Sequence, residues 1–333
     1  MLHSGKNSKL AYYVGSYLHL LVPRFLLRYR LQRLLDEYAH RSDKEYIDSR
    51  VDYYCRLGDY GKDVKGQWME RFTSLGDQKP IRPKVYYLDS FRYARYFADT
   101  MKWRLCPGDV NYNPEIPSIT KSRPVCTDGD SFGVLMKLDK VRHFVFLHDH
   151  RTWESKLDKV VFRGAIGQHS GDDYKKNRWL FMRKYFGHPM CDLGEVAERD
   201  YVNPQWACPK ISLYSHLRYK FIMALEGNDV ASNLKWVMSS NSIAVMPKSK
   251  CESWFMEGTL VGDYHYIEIK EDFSDLEEKL RFFISHPDKA NEIIRHAHEF
   301  VDQFRDGRRE EIISLLVLKK YFEKTNLLTT QVS

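Results

Sequence analysis

The stretch from Tyr219 to Ile269 constrains this chain more than any other. Tyr219–Leu225 is a short, mostly apolar run that stops at Glu226-Gly227-Asn228, a cluster of turn formers. Leu234, Val237 and Met238 then fall at i, i+3 and i+4. That spacing predicts a helix starting near Val230, with Asn228 or Asp229 as its N-cap. Ser242–Met246 reads as a short buried strand closed by Pro247, and Tyr264–Ile269 as another. Parallel strands joined by a helix form a right-handed crossover, the unit from which nucleotide-type α/β domains are built. The front of the predicted helix carries Ser232, Asn233 and Lys235. Unpaired N–H groups and the helix dipole suit a phosphate there, and a lysine adds a full charge. The plainer alternative is a solvated Lys235 and a Ser232 that merely favours an early helical position.

With 333 residues the chain has room for two domains, each with its own core. A formal charge of +7 favours anionic partners: nucleotide phosphates, membrane lipids or an anionic glycan. The basic residues are spread out and no nucleic-acid motif is present, which sets a nucleic-acid partner aside. Aromatic side chains, at 14%, suit a sugar cleft, although they equally fill cores. Six scattered cysteines, none in a CxxC pair, read as reduced thiols in a cytosolic protein. Residues 1–35 carry Lys6, Lys9, Arg24, Arg28, Arg30 and Arg33 and no acidic side chain. Residues 10–27 are rich in Leu and Tyr, yet His19, Pro23 and Arg24 interrupt them, so no spanning helix is expected. No small-residue cleavage site of a signal peptide follows. A basic, aromatic, amphipathic segment suits the surface of an anionic bilayer, or else packs on the protein itself.

Several other positions invite chemistry. Lys84–Leu88 reads as a buried strand that places Asp89 at its carboxyl end, where open α/β sheets bind ligands. Asp89 there serves as a base or caps a helix beginning near Phe91. Asp128-Gly129-Asp130 spells a DxD, but in a polar loop it reads as a turn. The run Phe144–Leu147 ends at His148-Asp149-His150, whose two histidines share a strand face. No third ligand sits at metal spacing, and Asp149 is a second candidate base. Lys159–Gly164 is a strand ending in Arg163-Gly164: glycine admits a close ligand, and arginine pairs with phosphate. His169 in the next loop, and Lys175, Lys176 and Arg178 beyond it, add positive charge. Cys191–Gly194 is a short strand. Pro287 opens a helix with a clean apolar stripe from Ala290 to Phe304, and a last helix spans Arg305–Phe322.

The order and spacing of Phe162-Arg163-Gly164, Tyr219-Lys220-Phe221, Val230–Trp236, Asn241–Val245, His265-Tyr266-Ile267 and Asp275-Leu276 resemble glycosyltransferase family 90. This is the CAP10-like and protein O-glucosyltransferase group, and the likeness is to its bacterial lipopolysaccharide-type members. The resemblance covers about residues 116 to 301. It implies a GT-B-like α/β fold, two Rossmann-like domains facing a cleft, with the C-terminal helix crossing back onto the first. The expected divisions are a basic segment 1–35, an acceptor-side domain 36–155, a nucleotide-sugar domain 156–304 and a helix and tail 305–333.

The resemblance further implies inverting, metal-independent transfer of a hexose. Glucose would move from UDP-glucose to a hydroxyl of a lipopolysaccharide core or another surface glycan. No cofactor is expected beyond the UDP-sugar itself. Asp89 or Asp149 would take the acceptor proton. Arg163, Gly164, His169, Arg178, Ser232, Asn233 and Lys235 would hold the donor diphosphate, and Glu252 or Glu257 the donor ribose. The expected partners are the donor, a lipid-linked saccharide acceptor and an anionic membrane, with the enzyme cytoplasmic and peripheral at the membrane's inner face. The loop after Gly164 lacks the arginine that eukaryotic relatives carry there. That departure sustains one alternative, a non-catalytic glycan- or nucleotide-binding protein on the GT-B fold.

Overall fold

Five short strands form one parallel sheet: β1 Leu157–Gly164, β2 Cys191–Glu195, β3 Tyr219–Met223, β4 Ile243–Met246 and β5 Ile267–Glu268. The structure is a computed structural model and describes residues 5–125, 129–166, 176–196 and 202–327. Its numbered helices are α1 Lys9–Leu21, α2 Arg24–Ala39, α3 Lys44–Tyr54, α4 Lys62–Arg71, α5 Lys84–Ala94, α6 Lys176–Tyr185, α7 Leu234–Met238, α8 Leu276–Ser285, α9 Pro287–Asp302 and α10 Gly307–Thr325. The chain divides into two compact units. The sheet unit holds residues 141–251 and 256–303 with the first few residues of the chain. The helical unit holds residues 8–140, 252–255 and 304–333.

In the sheet unit the strand order is β5-β4-β3-β1-β2. Register runs Phe162↔Leu193, Val161↔Ile222, Ile222↔Ala244 and Val245↔Ile267. Parallel strands bury both faces, so they read as continuous apolar runs. Val160, Phe221, Val245 and Ile267 share one buried cluster with Phe181 of α6, Leu280 of α8 and Ile293 of α9. The stripe expected after Pro287 is the buried face of α9. The crossover from β3 to β4 is present, but its helix is shorter than the spacing predicts. The side-chain amide of Asn233 donates to the Met223 carbonyl at 2.9 Å, folding the turn back onto β3. Helical structure therefore begins only at Leu234, and α7 has five residues.

The helical unit corrects a second expectation. Lys84–Leu88 is not a strand: it opens α5, with Pro83 at the N-cap. Eight consecutive or near-consecutive residues, Tyr86–Phe91 with Tyr93 and Ala94, are buried. A helix covered on nearly every side loses its amphipathic period and mimics a buried strand. Asp89 thus lies inside a helix and not at a strand end. Phe144–Leu147, in the sheet unit, is also non-strand backbone.

A buried ionic cluster ties the helical unit together. Glu310 of α10 takes Arg50 at 2.6 Å, Lys137 at 2.9 Å and the indole N–H of Trp254 at 2.7 Å. Tyr54 stacks on Trp254 at 3.9 Å between ring centroids and donates to its carbonyl. Removing one member of such a cluster strands the others without water. Glu310→Ala is expected to destabilise this unit by about 3–5 kcal/mol, read by chemical denaturation. Unchanged stability would show that the cluster contributes nothing.

Candidate functional site

Strand order in the sheet reverses between β1 and β3. β2 lies on one side of β1, and β3, β4 and β5 follow on the other. Open α/β sheets bind ligands in the crevice beyond the carboxyl ends at such a point. Here Arg178 of α6 bridges it. Its guanidinium donates to the Ala165 carbonyl at 2.9 Å, Leu225 at 2.9 Å and Glu226 at 3.0 Å. Burial lowers its pKa to about 10, with Asp229 and Glu226 pulling the other way. The turn passes close beneath: a Cβ on Gly227 would meet Nη2 at 2.9 Å, so a larger residue there would push the guanidinium aside.

Glu226 closes β3. Its Oε1 accepts the backbone N–H groups of Lys250 and Cys251, both at 3.0 Å. Burial nonetheless pushes its carboxyl up to about 7, and the charges of Glu257 and Asp229 add to the rise. Next to it, Asn228 Oδ1 is buried without a hydrogen-bond partner among the described residues. The exposed Lys248 sits on the turn that follows β4. Glu226 and Lys248 were not singled out from sequence. Their signal was available, because both directly follow an apolar strand run at its carboxyl end.

The expected residues fall into different places. Arg163 ends β1 but braces β2, pairing with Asp192 at 2.6 Å and donating to the Asp192 and Phe162 carbonyls. Gly164 follows with its backbone tight against the Phe162 ring. Ser232 is exposed in the turn before α7, and Asn233 is spent on Met223. Lys235 is no surface lysine: it is fully buried and pairs with Glu257 at 2.5 Å. Glu252 belongs to the helical unit, where Arg123 Nε at 2.7 Å and the Tyr53 hydroxyl take its two oxygens. Neither glutamate presents an open carboxylate for ribose. His169 and Asp128 lie outside the described residues.

Both candidate bases are engaged. Asp149 pairs with the buried Lys156 at 2.7 Å and accepts the N–H groups of Arg151 and Asn241. Lys156 precedes β1, and its ammonium also binds the Leu217 carbonyl and Ser242 hydroxyl, just before β3 and β4. Asp149 therefore sits at the amino edge of the sheet, opposite the crevice. Asp89 accepts the Lys140 backbone N–H at 3.0 Å and lies 3.2 Å from its ammonium. His148 and His150 do converge, with rings 4.6 Å apart, but no group of three or more metal-ligating side chains exists among the described residues.

Comparison with known proteins agrees with this scaffold. The model of glycosyl transferase family 90 matches residues 139–325. The chain is 36% identical over 318 residues to the O-glucosyltransferase LpsA of Dichelobacter nodosus, covering 94% of this chain and 95% of that one. It is 24% identical over 165 residues to protein O-glucosyltransferase 1 of Rattus norvegicus, 45% of this chain and 38% of that one. A segment of 138 residues is 28% identical to the uncharacterized protein 179R of Invertebrate iridescent virus 6, 38% of this chain and 12% of that one. The protein is a glycosyltransferase. It belongs to glycosyl transferase family 90.

Two variants test the crevice. A carboxyl whose folded pKa is raised from 4.5 to about 7 makes the native state bind more protons than the unfolded chain between those values. Stability contributed by the neutral form is present below about pH 4.5 and lost as pH rises to about 7. Glu226→Gln should therefore flatten the fall in Tm across that window, by the equivalent of about 1–3 kcal/mol. An unaltered Tm–pH profile would contradict the burial described. Arg178→Ala should cost about 1–3 kcal/mol by removing the donor shared by the Ala165, Leu225 and Glu226 carbonyls, and should raise the donor KM more than it lowers kcat. Wild-type KM in a folded variant would remove the crevice from donor binding.

Proposed function

We propose that this enzyme transfers glucose from UDP-glucose to a hydroxyl of a lipopolysaccharide core or another surface glycan. The transfer inverts the anomeric centre and uses no metal ion. The sheet unit would serve the donor and the helical unit the acceptor. The observation that carries this reading is the 36% identity, along nearly the whole chain, to a protein named an O-glucosyltransferase. The acceptor is lipid-linked, so the enzyme works peripherally at the inner face of an anionic membrane.

The donor lies at the crevice between β1 and β3. Arg178 presents the Ala165 and Leu225–Gly227 backbone toward it, and Lys248 supplies mobile positive charge for the diphosphate. Glu226 has one carboxylate oxygen beyond its two backbone bonds, and that oxygen accepts donor hydroxyls. Asp89 is the better base of the two carboxylates. Both carboxylates are 2% exposed, but Lys140, the partner of Asp89, is 23% exposed, whereas Lys156, the partner of Asp149, is fully buried. Asp89 takes the acceptor proton as the acceptor oxygen bonds the anomeric carbon; UDP departs from the opposite face with the bonding pair.

Purified protein with a panel of UDP-sugars and a truncated lipopolysaccharide core tests this. UDP-glucose is expected to be the preferred donor, with turnover surviving chelation and a product of opposite anomeric configuration. Asp89→Asn should lower kcat by about 100-fold or more while keeping the thermal shift given by UDP. Full turnover in that variant, or loss of activity on chelation, would sink the mechanism as written.

A further inference from the structure

α1 and the start of α2 turn outward a face that nothing in their own unit covers. Leu10, Val14, Leu18 and Leu21 recur at i, i+4, i+8 and i+11 along α1, and Phe25 and Tyr29 extend the strip onto α2. All six are exposed, Leu10 at 76%, Leu21 at 77% and Phe25 at 68%. The opposite side is held. Arg95 donates to the His19 and Val22 carbonyls, both at 2.6 Å, fixing the corner between the helices. Leu27 and Leu34 bury the inner face of α2, and Arg30 pairs with Glu311 at 2.8 Å. The strip is therefore presented outward by a packed backing. A contiguous apolar surface of this kind marks an interaction site.

Charge decides what covers it. The first 35 residues hold six Lys and Arg side chains and no Asp or Glu. Lys9 and Arg33 are exposed on the same two helices, Arg28 pairs with Asp99 at 3.5 Å, and the Lys84 ammonium lies 3.5 Å from the Tyr17 hydroxyl on α1. A second copy of the chain, meeting this face with its own, would bring arginines against arginines. A lipid surface satisfies both halves at once: headgroup phosphates take the cations, and acyl chains take the leucines. No helix among the described residues is long and apolar enough to cross a membrane, so α1 and α2 would lie in the interfacial plane.

We propose that the outer faces of α1 and α2 dock this enzyme onto an anionic bilayer, with the Leu10–Phe25 strip between the headgroups and Lys9 and Arg33 on lipid phosphates. The proposal supplies the membrane-side surface that the transferase reading calls for. It rests on that reading only for its purpose, and a binding measurement tests it whatever the enzyme's substrates prove to be.

The test is co-sedimentation of the full chain with phosphatidylcholine vesicles, with and without phosphatidylglycerol. Wild type should bind the anionic vesicles, and added salt should weaken that binding. Leu18→Asp/Leu21→Asp should reduce binding by about tenfold or more, and Lys9→Glu/Arg33→Glu should remove its salt dependence. Circular dichroism and transfer to a soluble acceptor fragment should remain as in wild type for both variants. Three results overturn the proposal. One is wild-type vesicle binding by the leucine double variant. Another is no binding by wild type. The third is a wild-type dimer that the leucine variant converts to monomer in ultracentrifugation, which would assign the face to a second copy.

Discussion

One half-buried guanidinium organises the sheet unit. Arg178 reaches from α6 to three carbonyl oxygens on two strands that are neighbours in the sheet but far apart in the chain. Those strand ends diverge at the point where the topology reverses, and without a bridge their carbonyls would face the crevice unpaired. The bonds are charge-assisted, and the surroundings are dry enough to depress the arginine's own pKa, so each bond is worth more than it would be in water. The rest of the crevice follows. Gly227 is small enough to pass beneath, and Glu226 is left facing the Lys250–Cys251 amides.

The same use of cations recurs elsewhere in the chain. Arg163 braces β1 to β2, Lys235 neutralises Glu257, Lys156 holds Asp149, and Arg50 and Lys137 meet at Glu310. Buried pairs of this sort add little net stability over apolar packing, but they penalise every arrangement that separates the partners. They act mainly as registration pins. The net charge of +7 consequently says little about the crevice. Much of the positive charge seen in sequence is consumed by partners within the protein, Arg24, Arg28 and Arg30 of α2 included, whereas Lys9 and Arg33 are exposed on α1 and α2.

Some of this was legible beforehand. β1, β2, β3 and β4 lie where their apolar runs and closing Gly or Pro residues put them, because a parallel strand buried on both faces leaves an uninterrupted signature. α9 was equally plain, since a helix half in the core repeats every three to four residues. The family was legible because its motifs recur in order and at fixed spacing. α5 was misread for the reason that made the strands easy: burial on every side erases periodicity, and Val-Tyr-Tyr-Leu favours a strand locally. Local pattern likewise placed the start of α7 four residues early, because the bond from Asn233 back to β3 is a tertiary contact.

Sequence alone therefore determined the α/β class, the crossover at its centre and the family, all of which depend on residue types at short, regular separations. It also marked the first two helices as basic and apolar together. What only the tertiary structure decided was the employment of each charged side chain. Lys235, Glu252 and Glu257 have the composition of a ligand site and turn out to satisfy buried partners, while Glu226, a turn residue by its sequence setting, stands at the crevice. The physical reason is that an ionisable group's role depends on what lies within a few ångströms of it and how much water remains. Both are properties of residues brought together across tens of positions in the chain, and no local pattern encodes them.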